Sequence, residues 1–297
     1  MISLTLRQLH YFDALARIGH FGRAAEACAV TQPALSMQIH ELEAQLGVAL
    51  FERGRKRIVL TEAGRAIAGK AARILMDAQD LIDVARHRNK VLCGTLRFGV
   101  IPTVGPYLLP ALLPKLSEAF PDLELHVRET QTSVLLAELS DGKLDVVFLA
   151  LPIAIPELES RDLIEDKFLL AVPSDYQGKG RVVVTEDFLR HQRLLLLEEG
   201  HCFRDQALIF CGLQQSSALN TMGASTFATI VRMVANGLGI TFLPEMAVST
   251  EIRSKEIRVL RLAAPEPKRT LGLVWRKTSA RKQDFEVLGK LIAKLKI

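Results

Sequence analysis

The sequence predicts an α/β protein in three parts: a helical N-terminal domain, one long helix, and a larger domain of alternating strands and helices in two lobes. Three helical patterns lie between residues 5 and 46, a fourth runs on for about 40 Å, and apolar strand-like runs alternate with helical patterns from residue 94. We expect the boundaries 1–61, 62–90 and 91–297. Lobe I should take about 91–165 and 267–297, and lobe II about 166–266.

Composition narrows the class of protein. Of the 297 residues, 49% are hydrophobic, and no apolar run approaches the ~18 residues of a membrane span. The N-terminus lacks the apolar core of a signal peptide, and four cysteines without CxxC spacing argue against zinc and against a secreted disulfide scaffold. We therefore expect an ordered cytoplasmic protein that needs no membrane, metal or cofactor.

The positive charge is concentrated at the N-terminus. Residues 1–90 carry 13 Lys/Arg and 9 Asp/Glu, a balance of +4, whereas the other 207 residues carry 25 and 24, a balance of +1. This asymmetry indicates a polyanionic partner for the N-terminal part.

The helix that follows Thr31 has two different faces. Thr31 should cap a helix from Gln32 to about Leu46, preceded by a helix near 23–28 and a three-residue turn. Such a pair is typical of a helix-turn-helix, whose second helix enters the major groove of DNA, although helical pairs joined by tight turns are also common in folds that bind nothing. Leu35, Ile39 and Leu42 should be buried, and the residues expected to face DNA are Thr31, Gln32, Pro33, Ser36, Met37 and His40.

A basic segment follows this helix. Arg53, Arg55, Lys56 and Arg57 precede a short strand-like run at 58–61, as in the wing of a winged helix-turn-helix. Such a run is more often a solvated surface, but beside a helix-turn-helix it fits contacts to DNA phosphates.

Several stretches of residues 1–65 resemble the winged helix-turn-helix of LysR-type transcriptional regulators. They are Arg23-Ala24-Ala25-Glu26, Thr31-Gln32-Pro33-Ala34-Leu35-Ser36, Leu50-Phe51-Glu52-Arg53 and Leu60-Thr61-Glu62-Ala63-Gly64. The resemblance implies binding to double-stranded DNA.

The long helix carries a repeating apolar seam. Thr61 should cap a helix from Glu62 to about Arg88. The seam could pack against its own chain, but we expect a coiled-coil dimer because it lies between the two domains. Its positions are Ile67, Ala71, Ile74, Ala78, Leu81 and Ala85.

The C-terminal two thirds predict a mainly parallel sheet in each lobe. Strands are expected at 94–101, 123–128, 145–151, 168–172, 194–197, 218–221 and 239–243, and a last strand at 269–275 should rejoin the first sheet. Two such lobes with two crossovers resemble the periplasmic-binding-protein fold that LysR-type regulators use as a sensor. Ligands in such folds lie at the C-terminal ends of strands, where Thr103, Thr132 and His201-Cys202 stand.

The segment after Gly200 carries two thiols nine residues apart. Cys202 and Cys211 flank a predicted helix, which would hold them about 13 Å apart, beyond the ~4.4–6.8 Å of a disulfide. A disulfide between them would therefore unwind the helix. Either thiol could instead be an ordinary buried side chain, although His201, Arg204 and a helix N-terminus would favour a thiolate at Cys202.

The sensor part resembles the OxyR peroxide-sensor subfamily of LysR-type regulators. The matching stretches include 101–110, Glu129-Thr130-Gln131-Thr132, Gly200-His201-Cys202, Phe210-Cys211 and Arg269-Thr270. The resemblance implies that Cys202 is the peroxidatic thiol and Cys211 the resolving thiol, supported by Thr103, Thr132, His201, Arg204, Asp205 and Arg269. It also implies a dimer of dimers, contact with RNA polymerase, and a glutaredoxin or thioredoxin as reductant.

Three other functions compete with this interpretation. A LysR-type regulator could bind a metabolite in the cleft between the lobes and carry incidental thiols. A thiol peroxidase or disulfide oxidoreductase would turn over, which the helix-turn-helix and wing argue against. A solute-binding protein would need a signal peptide.

Overall fold

The first compact unit of the chain is built from four helices. The computed structural model describes residues 4–52, 58–86, 90–178, 180–185, 188, 192–210, 221–253 and 255–295, and it divides into two compact units after residue 89. Within these ranges, every helix is too short or too polar to cross a bilayer. The helices of the first unit are α1 (Leu6–Ile18), α2 (Phe21–Ala27), α3 (Gln32–Leu46) and α4 (Glu62–Arg86).

Local capping sets the starts of these helices. Thr5 forms a capping box with Gln8, and the Thr31 hydroxyl accepts from the Ala34 amide at 3.4 Å. The Thr61 hydroxyl accepts from the Gly64 amide at 2.9 Å and so begins α4. The bounds of α3 agree with the prediction, whereas α2 begins at Phe21, earlier than predicted, because the His20 side chain caps it.

The predicted seam of α4 divides in two. Ala71 is 1% exposed and Ile67 packs beside it against the core of the first unit, where α4 contacts α1. By contrast, Ile74 is 44% exposed and Leu81 71% exposed. Ile67 and Ala71, the first two seam positions, therefore pack in the core of their own unit. The exposed apolar stripe begins at Ile74 and not at Ile67, where the seam was predicted to begin. The side chain of Ala85 lies outside the described residues.

The second unit contains one sheet of seven strands and a pair of short strands. Its strands are β1 (Gly94–Val100), β2 (Leu123–Glu129), β3 (Val146–Leu151), β4 (Leu158–Pro173), β5 (Leu194–Leu197), β6 (Thr221–Ala224), β7 (Thr241–Pro244), β8 (Ile257–Arg261) and β9 (Lys268–Arg276). Its helices are α5 (Gly105–Ala119), α6 (Thr132–Ser140), α7 (Cys202–Phe210), α8 (Phe227–Ala235), α9 (Glu245–Glu251) and α10 (Lys282–Ile292).

Two long antiparallel strands join the lobes. β9 pairs with β3 and β4, and β4 pairs with β9 through residues 158–167 and then with β7 and β8 through 168–173. Among the named strands of the described residues, the pairs β1–β2, β1–β3 and β5–β6 run parallel. The prediction that β9 rejoins the first sheet is confirmed. The prediction of a mainly parallel sheet is wrong, because β4 is a 16-residue strand that runs from one lobe into the other.

Other differences from the predicted elements are local. β6 lies at 221–224 rather than 218–221, and residues 211–220 are outside the described ranges. Neither α9 nor β8 was predicted, because both are short elements that form against β4.

Candidate functional site

The exposed face of α3 carries the residues predicted to contact DNA. Leu35, Ile39 and Leu42 are buried in the first unit as expected, and the opposite face is left to solvent. Gln32, Pro33, Met37 and His40 are exposed, and Ser36 is half-buried. Their side chains thus form one short exposed surface, polar at Gln32, Ser36 and His40, that a groove can receive.

The base of the predicted wing lies beside α3. Phe51 bridges to Leu60 in antiparallel fashion, and the Glu52 amide donates to the Val59 carbonyl at 2.8 Å. The Glu43 carboxylate on α3 accepts from the Leu50 amide at 2.7 Å and fixes the entry to this hairpin. Arg53, Arg55, Lys56 and Arg57 lie outside the described residues.

Three loops of the second unit enclose a small pocket around Cys202. Residues 101–103 follow β1, residues 131–132 follow β2, and residues 200–202 lead into α7. The space measures about 160 Å³, and none of it admits a water-sized sphere. The predicted residues Thr103, Thr132, His201 and Cys202 all line it.

The loop before Cys202 depends on glycine. Gly200 has φ +91°, and a Cβ there would lie 2.4 Å from the Gln131 side-chain oxygen. The Gln131 amide nitrogen in turn donates to the Glu199 carbonyl at 3.2 Å. This contact holds the turn that places the half-buried Cys202 thiol at the first residue of α7.

Arg269 lies behind the pocket with its hydrogen bonds satisfied. Its Nε donates to Asp166 Oδ2 at 2.8 Å, and its Nη1 donates to Thr103 Oγ1 at 2.9 Å. Its Nη2 donates to the Thr103 carbonyl at 3.1 Å. The guanidinium also lies 5.1 Å from the ring centre of Phe203, the residue after Cys202. Arg269 therefore reaches the pocket through Thr103.

Arg204 and Asp205 are not among the residues that line the pocket. Arg204 Nη1 donates to the Leu197 carbonyl at 3.0 Å and so closes the loop between β5 and α7. Asp205 is exposed. The carboxylate that orients Arg269 is that of Asp166. Nothing in the sequence singles out Asp166 from its neighbour Glu165.

Two polar atoms of the pocket residues are left without partners. Thr132 Oγ1 and His201 Nδ1 are buried and have no hydrogen-bond partner in the described part of the chain. His201 is 8% exposed, and this burial lowers the pKa of its imidazole, opposed by the Glu198 carboxylate. The imidazole is therefore neutral near pH 7. Unpaired buried groups are costly unless a ligand or water satisfies them.

The helix predicted between the two thiols is present. α7 runs from Cys202 to Phe210, and Cys211 lies outside the described residues. Cys28 and Cys93 are half-buried, and neither is among the residues that line the pocket.

Both compact units match known sequence families. Residues 6–65 match the bacterial regulatory helix-turn-helix protein of the lysR family, and residues 89–295 match the LysR substrate binding domain. The DNA-binding transcriptional dual regulator OxyR of Escherichia coli (strain K12) is 40% identical over 289 residues, 97% of this chain and 95% of that protein.

Solved structures of similar proteins extend the match to the fold. A full-length OxyR variant from Pseudomonas aeruginosa has a TM-score of 0.81 at 36% identity and covers 98% of each chain. An OxyR mutant from Corynebacterium glutamicum, solved with H2O2 bound, has a TM-score of 0.65 at 35% identity. That match covers 98% of this chain and 93% of the other.

Proposed function

Because the chain belongs to the LysR family of transcriptional regulators, and within it to the OxyR group, we propose that it is a DNA-binding regulator of oxidative-stress genes that senses hydrogen peroxide. The observation that carries this proposal is the pocket at Cys202. It combines a thiol at a helix N-terminus with two unpaired hydrogen-bonding groups, Thr132 Oγ1 and His201 Nδ1. Since the space admits no water-sized sphere, only a very small polar signal could be taken up with a small movement of the lining, whereas metabolite pockets measure ~300–1,000 Å³.

The first chemical step forms a sulfenic acid at Cys202. The thiolate sulfur attacks one peroxide oxygen, the O–O bond breaks, and the other oxygen leaves with the electron pair as hydroxide. Thr103 and Thr132 donate hydrogen bonds to the peroxide, and the neutral His201 accepts or donates one at the leaving oxygen. Peroxide enters only as the lining side chains move apart, since the pocket has no room for a water-sized sphere.

The second step joins Cys202 to Cys211. The Cys211 sulfur displaces the sulfenic oxygen, which leaves as water once a proton is supplied, and a disulfide results. A helix continued to residue 211 would hold the two residues about 13 Å apart, so the bond forms only if the helix unwinds. A reducing compartment such as the cytoplasm keeps the pair reduced at rest, and a glutaredoxin or thioredoxin resets it.

The change at α7 then reaches the DNA through the oligomer. We propose that exposed positions of α4 from Ile74 onward pair two chains and that dimers associate into tetramers. The α3 surface, with Gln32, Ser36 and His40, reads the major groove, and the basic residues at 53–57 contact phosphates. Contact with RNA polymerase turns the conformational change into activation of transcription. One peroxide is consumed each time a chain passes to the disulfide form, without catalytic turnover.

A peptide map after brief, near-stoichiometric peroxide tests this function. The reduced protein is exposed for seconds and quenched in acid, and free thiols are alkylated. We expect a Cys202–Cys211 disulfide in the wild type, a trapped sulfenic acid at Cys202 in Cys211→Ser, and no reaction in Cys202→Ser. Cys28→Ser and Cys93→Ser are matched controls and should behave as wild type.

Operator binding completes the test. Footprints of the reduced and oxidised wild type on one promoter should differ in extent, whereas those of Cys202→Ser should not. If both thiols stay alkylatable while the protein binds its promoter, peroxide sensing is refuted, and a metabolite becomes the candidate signal.

A further inference from the structure

Asp166 and Arg269 form a buried ion pair behind the pocket. They stand directly opposite each other in the antiparallel register of β4 and β9, and their side chains are 2% and 0% exposed. Asp166 Oδ2 accepts from Arg269, and Asp166 Oδ1 accepts from the Met246 amide at the start of α9 at 3.2 Å. The carboxylate is thus held from two sides and fixes the orientation of the guanidinium.

This orientation decides what Thr103 can do. Arg269 Nη1 donates to Thr103 Oγ1 at 2.9 Å, so that the threonine oxygen acts as an acceptor there. The hydroxyl proton is left to point elsewhere, and Thr103 is a lining residue of the Cys202 pocket. A hydroxyl that accepts from a guanidinium is a polarised and therefore stronger donor.

We propose that Asp166 is a positioning residue for the peroxide reaction, which orients Arg269 so that Thr103 is held as a hydrogen-bond donor toward the peroxide at Cys202. This inference rests on the proposed function and names a residue through which that function is tuned. Asp166 does not touch the reacting atoms; it acts through Arg269 and Thr103. The donor then stabilises the hydroxide that leaves as the O–O bond breaks.

A role for Arg269 by charge alone makes the opposite prediction. The Asp166 carboxylate cancels the positive charge of Arg269. Removing the charge of Asp166 would therefore leave Arg269 as an uncompensated cation behind the pocket. A cation acting only by its charge would then favour the Cys202 thiolate more strongly and speed every reaction of that thiol. If positioning matters, the same substitution misaligns Thr103 and slows the reaction with peroxide.

Two rates measured on the full-length reduced protein separate these roles. The first is sulfenic acid formation at Cys202 with hydrogen peroxide, and the second is alkylation of Cys202 by iodoacetamide, which needs the thiolate but no donor to a leaving oxygen. Asp166→Asn is compared with Glu165→Gln, the same change one residue earlier in an exposed pair with Lys268. Arg269→Lys keeps the positive charge, but the single lysine Nζ cannot donate to both Asp166 and Thr103 as the guanidinium does.

Positioning predicts that Asp166→Asn slows oxidation by about 10- to 100-fold while alkylation is not slowed. Arg269→Lys should be slowed likewise, and Glu165→Gln should match the wild type. Faster oxidation and faster alkylation in Asp166→Asn overturn the inference in favour of charge alone. Should Asp166→Asn fail to fold, Arg269→Lys decides: a slowed oxidation supports positioning, and a wild-type rate overturns it.

The same measurements distinguish a failure of the inference from a failure of the proposed function. If the wild type reacts with peroxide and Asp166→Asn reacts at the same rate, the inference fails and the function stands. If wild-type Cys202 is alkylated but does not react with peroxide, the proposed function fails and the inference falls with it.

Discussion

Phe203 ties the first turn of α7 to the core of the second unit. It is 2% exposed, and its ring lies 4.7 Å from that of Phe168, 5.2 Å from that of Phe227 and 5.1 Å from the Arg269 guanidinium. Truncating such a side chain to alanine costs about 3–5 kcal/mol. If disulfide formation unwinds α7 and removes Phe203 from the core, the truncation destabilises the reduced state alone.

Phe203→Ala should therefore make the disulfide easier to form and harder to reduce. For a two-electron couple about 1.4 kcal/mol corresponds to 30 mV, so the reduction potential should become more negative by about 60–100 mV. Phe203→Leu, which leaves a smaller cavity, should shift it by about 20 mV for a cost of about 1 kcal/mol. Redox titration in dithiothreitol buffers measures the shift, with the disulfide fraction read by mass spectrometry after acid quench.

Ile209 offers a matched control on the same helix. It is 56% exposed, so Ile209→Ala should change stability by less than about 0.5 kcal/mol and leave the potential unchanged. A Phe203→Ala protein that is less stable in urea but has the wild-type potential would refute the reasoning. Phe203 would then keep its packing in the oxidised state, and the first turn of α7 would not unwind.

Three further substitutions test the site from other directions. Thr132→Val removes a buried hydroxyl without a partner in the described chain, so urea unfolding should show equal or greater stability while sulfenic acid trapping at Cys202 slows; a clear loss of stability would contradict this. Burial lowers the pKa of His201, so the unfolded chain takes up that proton first and stability should fall as the pH drops below about 6.5. His201→Asn should flatten this fall, measured as urea midpoints at neutral and acidic pH; an unchanged slope would count against a neutral buried imidazole. Tyr107→Phe loses the 2.9 Å hydrogen bond to Glu251, which should cost about 1–3 kcal/mol in thermal unfolding; a Phe variant as stable as wild type would show that water replaces it.

Local sequence signals account for much of the fold that could be predicted. Thr31 and Thr61 cap their helices as expected, because a cap and the amides it satisfies lie within three residues. The burial of Leu35, Ile39 and Leu42 follows from helical spacing. By contrast, α9 and β8 went unpredicted, since their formation depends on packing against β4 rather than on a local pattern.

Part of the candidate site could also be predicted from local sequence signals. Thr103, Thr132 and Cys202 were found because they stand at strand ends, which sequence order alone locates. Asp205, which the resemblance includes among the supporting residues, is exposed. Proximity along the chain carried no information about which carboxylate would reach Arg269.

The sequence by itself determined the starts of α3 and α4, the strand ends that carry the pocket residues, and the thiol that stands at the start of α7. The tertiary structure alone decided that Asp166 pairs with Arg269, 103 residues further along the chain. That pairing depends on the register of β4 against β9, and a shift of one residue would turn Asp166 to the other face of the sheet. Register is fixed by the packing of both strands at once, so no stretch of sequence contains it.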